Sequence, residues 1–268
     1  MRRTTLLAAS CALLLLPTPG AAQRSADQAR LVISVGLGQT LGGKNLWSVG
    51  AQPLQVYPGR IDTIAVQRAF RTTFNIDFSA TYFPTPNLGF NAGATLLGLG
   101  TADACATGGS DTGGPVSDST IYLCNQLDRG ERSATSGVLS AGVVYRIAPH
   151  NKLYPYVRAN AGLAISQQSF IRLRGTYADD SEKNIYNDPE PANTQPYFGF
   201  GGGIVAVLGG GYQFRFEVRD NWVRIPTVTG STAGFTGGEP PTKTTGRHLV
   251  SVVAAFDVVL ERKRGRRY

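Results

Sequence analysis

The sequence predicts an all-β protein, an eight-stranded antiparallel up-and-down transmembrane β-barrel. Eight segments alternate apolar and polar residues with a period of two, which is typical of strands with one apolar face. The connections between these segments are alternately short and long, as in barrels of outer membranes. The chain has five lysines, and none of them falls within the eight segments. A sheet that faced water would carry several, because lysine is largely confined to exposed positions.

The N-terminus has the features of a secretory signal peptide. A basic start is followed by an apolar stretch from Leu6 to Leu16 and by small residues up to Ala22, so we expect export and removal of residues 1–22. A lipoprotein signal at Cys11 is the alternative, but Ala8 stands where such signals usually have leucine. We expect a barrel domain over residues 23–261 and a basic C-terminal tail over residues 262–268.

The strands are predicted from the alternation itself. In the second of them Phe70, Phe74 and Phe78 share the apolar face, and Asn75 and Asp77 share the polar face. Thirteen alternating residues at this point exceed the common strand length and suit a tilted strand that crosses a bilayer, which needs about 9–11. The eight predicted strands cover residues 31–39, 70–83, 88–99, 135–147, 154–166, 197–208, 212 onward and 248–260.

The connections predict which end of the barrel carries the exposed loops. Residues 84–87, 148–153 and 209–211 are short and contain the Pro, Asn and Gly of tight turns. The other connections run to roughly 20–35 residues, long for a compact soluble domain, and we expect them to be external loops. Cys105 and Cys124 are the two cysteines that remain after processing. In an exported chain they are expected to form a disulfide, with free thiols as the alternative.

The polar face is predicted to line a narrow lumen. Eight strands leave a bore that side chains fill, and the polar face consists mainly of Gly, Ser, Thr and Asn with a few charged residues. Ions in such a space must be paired. Glycines such as Gly93, Gly142, Gly162 and Gly201 are expected to make room for the arginines. The predicted lumenal polar network comprises Arg71, Asp77, Arg158, Arg215, Glu217, Arg219 and Asp257.

Three segments carry a resemblance to a known family. Residues 154–162 (YPYVRANAG), the glycine-rich stretch 198–203 and residues 214–219 (FRFEVR) resemble the small OmpX/OmpA-type outer-membrane β-barrel family. The resemblance implies contact with outer-membrane lipid and lipopolysaccharide and insertion by the barrel-assembly machinery. In that family the last strand often ends in an aromatic residue. Here Tyr268 is separated from Leu260 by the basic tail, so Phe256–Leu260 is expected to serve instead.

One strand departs from the pattern. Asp220 lies two residues beyond Val218 and therefore falls on the lipid-facing side of the alternation. Either the strand has left the hydrocarbon at this point, or a bulge resets the phase before Trp222. A charge on the lipid face costs a few kcal/mol at mid-bilayer and little near the interface, which favours the first explanation.

Catalytic signals are weak in this sequence. His150 falls in a short turn, and His248 shares its face with Val250, with no carboxylate evident to orient the ring. Gly201–Ala206 has the spacing of a dinucleotide fingerprint but no helix follows it, and the acidic stretch 179–190 matches no calcium loop. We expect no enzyme activity, no cofactor and no metal.

The formal net charge of +8 sits mostly in the signal peptide and tail, so no nucleic-acid surface is expected. The sequence therefore predicts a non-enzymatic outer-membrane protein that presents long loops for envelope integrity, surface interaction or adhesion, with an extracellular ligand that is unknown. A narrow pore for small or hydrophobic solutes, a lipid-modifying enzyme that uses His248, and a soluble ligand-binding barrel are the alternatives.

Overall fold

The computed structural model describes residues 30–128, 131–132, 134–177, 179–188, 193–232 and 237–261. The signal peptide and the basic tail predicted from the sequence lie outside these residues. Along the chain the elements are β1 (Arg30–Thr40), β2 (Asn45–Tyr57), β3 (Arg60–Phe70), β4 (Thr73–Phe83), β5 (Leu88–Gly98), β6 (Thr101–Ser110), α1 (Asp118–Asp128), β7 (Glu131–Arg132), β8 (Thr135–Arg146), β9 (Leu153–Ser166), β10 (Leu173–Thr176), β11 (Glu182–Tyr186), β12 (Asn193–Gly209), β13 (Tyr212–Val228) and β14 (Thr242–Glu261).

Eight strands close into a barrel in the order β1-β14-β13-β12-β9-β8-β5-β4. Neighbours in the ring are antiparallel and follow one another in the chain order of the barrel strands, and β1 closes the ring by pairing with both β4 and β14. Val35, for example, lies opposite Phe78 on one side and Phe256 on the other. The predicted fold class is confirmed. Among the described residues, no helix combines the length and apolar character needed to cross a bilayer.

The apolar face of the barrel points outward, as predicted. Phe74 is 77% exposed and Leu37 is 63% exposed, whereas Asp77 and Glu217 on the opposite faces of their strands are buried. A wall of exposed aromatic and aliphatic side chains is stable against lipid and not against water. The fold is that of a transmembrane barrel.

The short connections lie together at one end of the barrel. The β12–β13 turn contains Gly210 and Gly211, with φ angles of 62° and 85°. These angles lie in the left-handed region that glycine adopts most readily. The other short connections, β4–β5 and β8–β9, leave the barrel at the same end. The predicted turns at residues 84–87, 148–153 and 209–211 are thus found where the sequence placed them.

Three of the four long connections contain strands or a helix. β2, β3, β6 and β7 form a four-stranded sheet, and β10 and β11 form a hairpin. The helix α1 lies beside β6 and β10. We call these elements together the outer layer. The predicted thirteen-residue strand is divided at its start, because β3 of the outer layer ends at Phe70 and β4 of the barrel begins at Thr73.

This division reverses the environment of Phe70. The sequence pattern assigned it to the lipid face with Phe74, but Phe70 is buried in the core of the outer layer. The two-residue connection between β3 and β4 preserves the alternation in the sequence while the chain passes from one sheet to another. Apolar residues therefore keep their even-numbered positions along the sequence, but these positions are buried in β3 and face outward in β4.

One apolar core joins the outer layer to the upper barrel. Inward side chains of the barrel, such as Leu97, Tyr197 and Leu249, belong to the same cluster as Trp47 and Phe170 outside it. Trp47 donates a hydrogen bond from its indole nitrogen to the Phe170 carbonyl oxygen at 3.0 Å, so its polar atom is satisfied within this core. The outer layer is packed onto the barrel and closes its upper end.

A second apolar cluster fills the end with the short turns. It contains Val32, Phe83, Tyr154 and Val205, and the Tyr154 hydroxyl hydrogen-bonds the side-chain oxygen of Gln213 at 3.1 Å. The charged residues lie between this cluster and the upper core. The lumen thus has an ionic layer in the middle and a mainly apolar layer at each end. The lower layer also contains the buried Arg146, whose guanidinium carbon lies 3.4 Å from the centroid of the Phe83 ring.

Candidate functional site

The middle layer of the lumen is a cluster of six buried ions, which we call the charged belt. It contains Asp77 from β4, Arg158 from β9, Arg215, Glu217 and Arg219 from β13, and Asp257 from β14. The three residues from β13 are spaced by two, which places all of them on the inward face of that strand. The belt has three positive and three negative side chains, so its formal charges balance.

Glu217 lies at the centre of the charged belt. It accepts hydrogen bonds from Arg219 Nε at 2.7 Å and from Arg215 Nη1 at 2.9 Å. Arg219 bonds Oε1, whereas Arg215 bonds Oε2. The Tyr156 hydroxyl also donates to Oε2, at 2.6 Å, and Arg158 Nη1 lies 3.5 Å from it. Charge-assisted bonds of this kind are the stronger ones in proteins. They hold three arginines around one carboxylate.

The other two carboxylates complete the belt. Asp77 receives Arg219 Nη1 at 3.1 Å and the Thr95 hydroxyl at 2.8 Å, and Arg158 Nη2 lies 3.6 Å away. Asp257 pairs with Arg215 Nε at 3.4 Å. Each arginine of the belt is therefore within ion-pair distance of a carboxylate. An arrangement in which every charge is neutralised fills the lumen and favours a plug over a conducting pathway.

Arg71 does not lie among the barrel strands, contrary to the sequence interpretation. It occupies the connection between β3 and β4, where its backbone N–H donates to the Gly100 carbonyl oxygen at 2.8 Å, and its side chain is partly buried. Arg71 and Asp77 are six positions apart, so they would share a face in one continuous strand, and the sequence pattern grouped them for this reason. The change of sheet at this connection removes it from the lumenal face.

The lumenal glycines make room first for the neighbouring strand. A Cβ atom on Gly162 would lie 1.9 Å from the Leu139 carbonyl oxygen, and one on Gly142 would lie 2.0 Å from that of Ala159. At Gly201 the nearest atom is likewise a backbone oxygen, that of Val218, at 2.8 Å, and the Arg219 Cβ atom follows at 3.2 Å. Gly201 therefore also makes room for an arginine, as expected. The glycines allow the strands to approach closely in a tightly curved wall.

Asp220 and His248 meet on the outer wall near the rim. The His248 Nδ1 atom lies 2.7 Å from an Asp220 carboxylate oxygen, and both side chains are partly exposed. Asp220 is thus a carboxylate placed to orient the His248 ring, and the expectation that no such carboxylate is present is wrong. The β13–β14 ladder passes through Asp220 without a bulge, so the strand keeps its phase and Asp220 faces outward.

Among the described residues, the outward neighbours of this pair on β13 and β14 are apolar. Outward neighbours on the same strands are Val218, Trp222 and Val250, while Ser251 is buried and bonded to Asn221. A nucleophile within hydrogen-bond reach of the imidazole is required for such chemistry. Among the described residues, Asp220 is the side chain that hydrogen-bonds the ring of His248.

The outer layer is held by a disulfide and by buried polar bonds. Cys105 of β6 and Cys124 of α1 are bonded, as predicted. Arg68 of β3 reaches Asp103 of β6 through its Nη2 atom at 2.9 Å and donates from Nη1 to the Phe170 carbonyl oxygen at 2.9 Å. These bonds join the sheet, the helix and the segment before β10 into one unit.

Asp62 fixes the start of α1. It accepts hydrogen bonds from the Ser117 hydroxyl and from the Thr120 hydroxyl, each at 2.7 Å, and from the Ser117 N–H at 2.9 Å. Burial alone would raise the pKa of Asp62, but these hydrogen bonds outweigh it and hold the pKa well below its usual value. The carboxylate therefore stays ionised and acts as a cap supplied from a neighbouring strand.

Acidic side chains of the outer layer are used in hydrogen bonds and ion pairs. Among the residues that the structure describes, no group of three or more His, Cys, Asp or Glu side chains is placed to hold an ion. In the outer layer, Asp62 accepts hydrogen bonds from the Ser117 and Thr120 hydroxyls, and Asp103 pairs with Arg68.

The chain is similar in structure to several solved outer-membrane proteins. Neisserial surface protein A shares 11% identity over 87% of this chain and 99% of its own, with a TM-score of 0.40. AlkL in DMPC bilayers shares 17% over 89% and 93%, with a TM-score of 0.39. Ail of Yersinia pestis, solved with the heparin analogue sucrose octasulfate, shares 11% over 87% and 99%, with a TM-score of 0.33. No family model and no curated protein matches the chain. The likeness is one of fold.

Proposed function

We propose that the protein is a non-enzymatic integral outer-membrane protein whose barrel presents the outer layer at the cell surface for surface interaction or adhesion. The observation that carries the proposal is the continuous core that joins the outer layer to the barrel. Three connections fold into one unit that contains a disulfide. Such a unit offers a rigid surface for recognition and reduces the ordering cost of binding.

We also propose how the chain reaches the outer membrane. Residues 1–22 direct export, residues 23–261 insert with the barrel-assembly machinery, and the barrel wall contacts outer-membrane lipid and lipopolysaccharide. β14 ends at Glu261, which pairs with Arg30 at the end of the barrel that carries the short turns. This pairing supports a periplasmic location for the basic tail, residues 262–268.

Labelling of intact cells tests the orientation. Tyr57→Cys, in the hairpin between β2 and β3, should react with a membrane-impermeant maleimide. Thr85→Cys, in a short turn, should react only after the outer membrane is permeabilised. Equal labelling of both positions on intact cells would overturn the orientation. Slower migration of heated samples on a denaturing gel reports the folded barrel in both variants.

Attachment assays test the interaction itself. Cells that display the protein are compared with cells that carry the empty vector, in attachment to bare glass and in autoaggregation. We expect a gain in at least one assay, and a smaller gain for Cys105→Ser with Cys124→Ser, in which the barrel remains but the outer layer is loosened. Equal behaviour of all cells in every assay would contradict the proposal.

A conductance measurement distinguishes surface presentation from the alternative function as a narrow pore. A lumen filled by the charged belt and by apolar layers at both ends should show no ion current in planar bilayers. A steady single-channel current that changes in Arg158→Ala would replace presentation with conduction as the function.

A further inference from the structure

The end of the barrel with the short turns contains a cavity lined by basic side chains. Its volume is about 150 Å³. The lining includes Arg30 at the start of β1, Phe83 and Arg146 at the ends of β4 and β8, Thr85 in the β4–β5 turn and His150 in the β8–β9 turn. Among the described residues, no acidic side chain belongs to this lining. The cavity therefore favours a negatively charged occupant.

Arg146 is the buried cation of this cavity. It is 8% exposed, and its guanidinium carbon lies over the rings of Phe83 and Tyr154, at 3.4 Å and 5.5 Å from their centroids. Aromatic faces attract a cation but leave its N–H groups without a strong acceptor. Within the described part of the chain, no group accepts a hydrogen bond from this guanidinium, and no carboxylate lies within ion-pair distance of it. Its N–H groups are therefore available to a ligand in the cavity.

The neighbouring charges do not compensate Arg146. Asp257 of the charged belt pairs with Arg215 at 3.4 Å. Arg30 lines the same cavity and lies opposite Glu261 in the β1–β14 ladder, so Arg146 is the cation on which a ligand would depend. Burial of a charge without a partner is costly. An anion bound in the cavity would offset this cost.

Backbone bonds fix Arg146 between the two turns that border the cavity. Its N–H donates to the Asn87 carbonyl oxygen at 2.8 Å, and its own carbonyl oxygen accepts from the Asn87 side-chain nitrogen at 2.9 Å. Asn87 belongs to the β4–β5 connection, as does Thr85. The end of β8 is thus held against the neighbouring turn before any ligand binds, and such preorganisation lowers the cost of binding.

The donors around the cavity favour a phosphate group. A guanidinium can form two parallel hydrogen bonds to phosphate oxygens. The Thr85 hydroxyl and a ring N–H of His150 are further donors from two different turns, and the oxygens of a phosphate point in enough directions to receive all of them. A cavity of this volume holds a molecule as large as benzene, and a phosphate group is smaller.

The cavity is reached from water and not from the lipid-facing wall. Arg30, Thr85 and His150 are exposed at the end of the barrel, whereas Phe83 and Arg146 are buried on the inward faces of their strands. A ligand that enters between the turns therefore meets Arg146 at the inner end of the cavity. In the orientation proposed above, this entrance faces the periplasm.

We propose that this cavity is a binding site for a phosphate group, carried by a soluble phosphate compound or by a phospholipid headgroup. Arg146 binds the phosphate oxygens, and Thr85 and His150 donate to it from the two turns. The site lies at the opposite end of the barrel from the outer layer, so it is independent of surface presentation. It does not need a conducting lumen.

Isothermal titration calorimetry tests the site. The protein is folded in micelles of dodecyl maltoside, a detergent without phosphate, and is titrated with sodium phosphate at an ionic strength held constant with sodium chloride. We expect saturable binding of one phosphate per chain. Because a ligand that binds the folded state stabilises it, phosphate should also raise the urea midpoint of unfolding. A rise that sodium chloride alone reproduces at the same ionic strength would contradict a specific site.

A matched pair of arginine variants assigns the binding to the cavity. Arg146→Gln should weaken phosphate binding at least about tenfold, as expected for the loss of charge-assisted hydrogen bonds. Arg224→Gln removes an exposed arginine near the other end of the barrel and should bind phosphate as the unmodified protein does. The basic tail, residues 262–268, is present in both variants, so it does not affect the comparison. Equal binding by Arg146→Gln and the unmodified protein would refute the site.

A pair of exposed histidines provides the same comparison if Arg146→Gln does not show the gel shift of a folded barrel. His150→Ala should weaken phosphate binding about twofold to tenfold, the effect of losing one hydrogen-bond donor. His248→Ala, on the outer wall near the opposite rim, should leave binding unchanged. Equal affinities of these two variants would count against the site.

A lipid titration distinguishes the two sources of the phosphate group. Dihexanoylphosphatidylglycerol is added to the same micelles in place of sodium phosphate. Tighter binding of inorganic phosphate supports a soluble phosphate compound as the ligand, and tighter binding of the lipid supports a headgroup. In each case the tighter probe should lose affinity in Arg146→Gln. Saturable binding of neither probe would overturn the proposal.

Discussion

Replacing Glu217 with glutamine removes one negative charge from the charged belt and keeps its shape. Glu217 is fully buried and lies within 3.5 Å of three arginines. The variant leaves three buried positive charges opposite Asp77 and Asp257. Removing one partner of a buried ion pair costs about 3–5 kcal/mol, because the remaining charge is uncompensated in a medium of low polarity. We expect the free energy of unfolding to fall by about that amount.

Urea titration of the barrel in lipid vesicles measures the change, with tryptophan fluorescence and gel mobility as two independent probes. Glu182→Gln is the matched control, since Glu182 is exposed and lies 3.9 Å from Arg174. Surface pairs of this kind contribute about 0–1 kcal/mol. A double variant, Glu217→Gln with Arg219→Gln, restores the balance of charges. Its destabilisation should therefore be smaller than the sum of the two single ones.

A loss below about 1 kcal/mol in Glu217→Gln would refute this reasoning. It would mean that water or mobile ions reach the belt and compensate the missing charge. The lumen would then be open enough for conduction, and the planar-bilayer experiment would be expected to show current. Strict additivity in the double variant would likewise show that Glu217 and Arg219 do not depend on each other.

Three further predictions concern the outer layer and the rim. Cys105→Ser with Cys124→Ser should destabilise the outer layer by roughly 3 kcal/mol, seen as faster proteolysis between β6 and α1 while the heat-dependent gel shift of the barrel persists. Asp62→Asn should cost about 1–3 kcal/mol by weakening the bonds at the start of α1, measured by hydrogen exchange of the helix. Because the folded pKa of Asp62 lies below its ordinary value of 3.8, this contribution is complete above that pH and is lost as the pH falls below it; the variant should show less pH dependence there. His248→Ala should leave the acylation pattern of lipid A unchanged on mass spectrometry, and a changed pattern would make the Asp220–His248 pair part of an enzyme.

The barrel could be predicted from the sequence because lipid imposes a strict rule on it. Outward residues of a spanning strand must be apolar where they lie in the hydrocarbon, so Phe74 and Phe78 identify the exterior and Asp77 the interior without any knowledge of partners. The belt followed from the same parity, since Arg215, Glu217 and Arg219 share a face. The exception, Arg71, has the right parity but lies beyond the end of its barrel strand.

The outer layer could not be predicted in the same way. Its strands carry polar and small residues on the water side, and β2 and β6 have register shifts and glycines that blur the alternation. Its packing depends on contacts between distant segments, such as Arg68 with the Phe170 carbonyl. The meeting of Asp220 and His248 depends on the β13–β14 register, which the length of the intervening connection does not determine.

The contributors to the charged belt come from strands far apart along the chain, and Arg219 and Asp77 are separated by 142 positions. An unclosed sheet at the bilayer would expose these ions to hydrocarbon, where a lone charge is strongly disfavoured. Neutralisation of the ions is complete only when β13 and β4 face each other across a closed ring. Insertion and ring closure are thereby coupled, because a partly assembled sheet with unpaired ions is unstable in the bilayer.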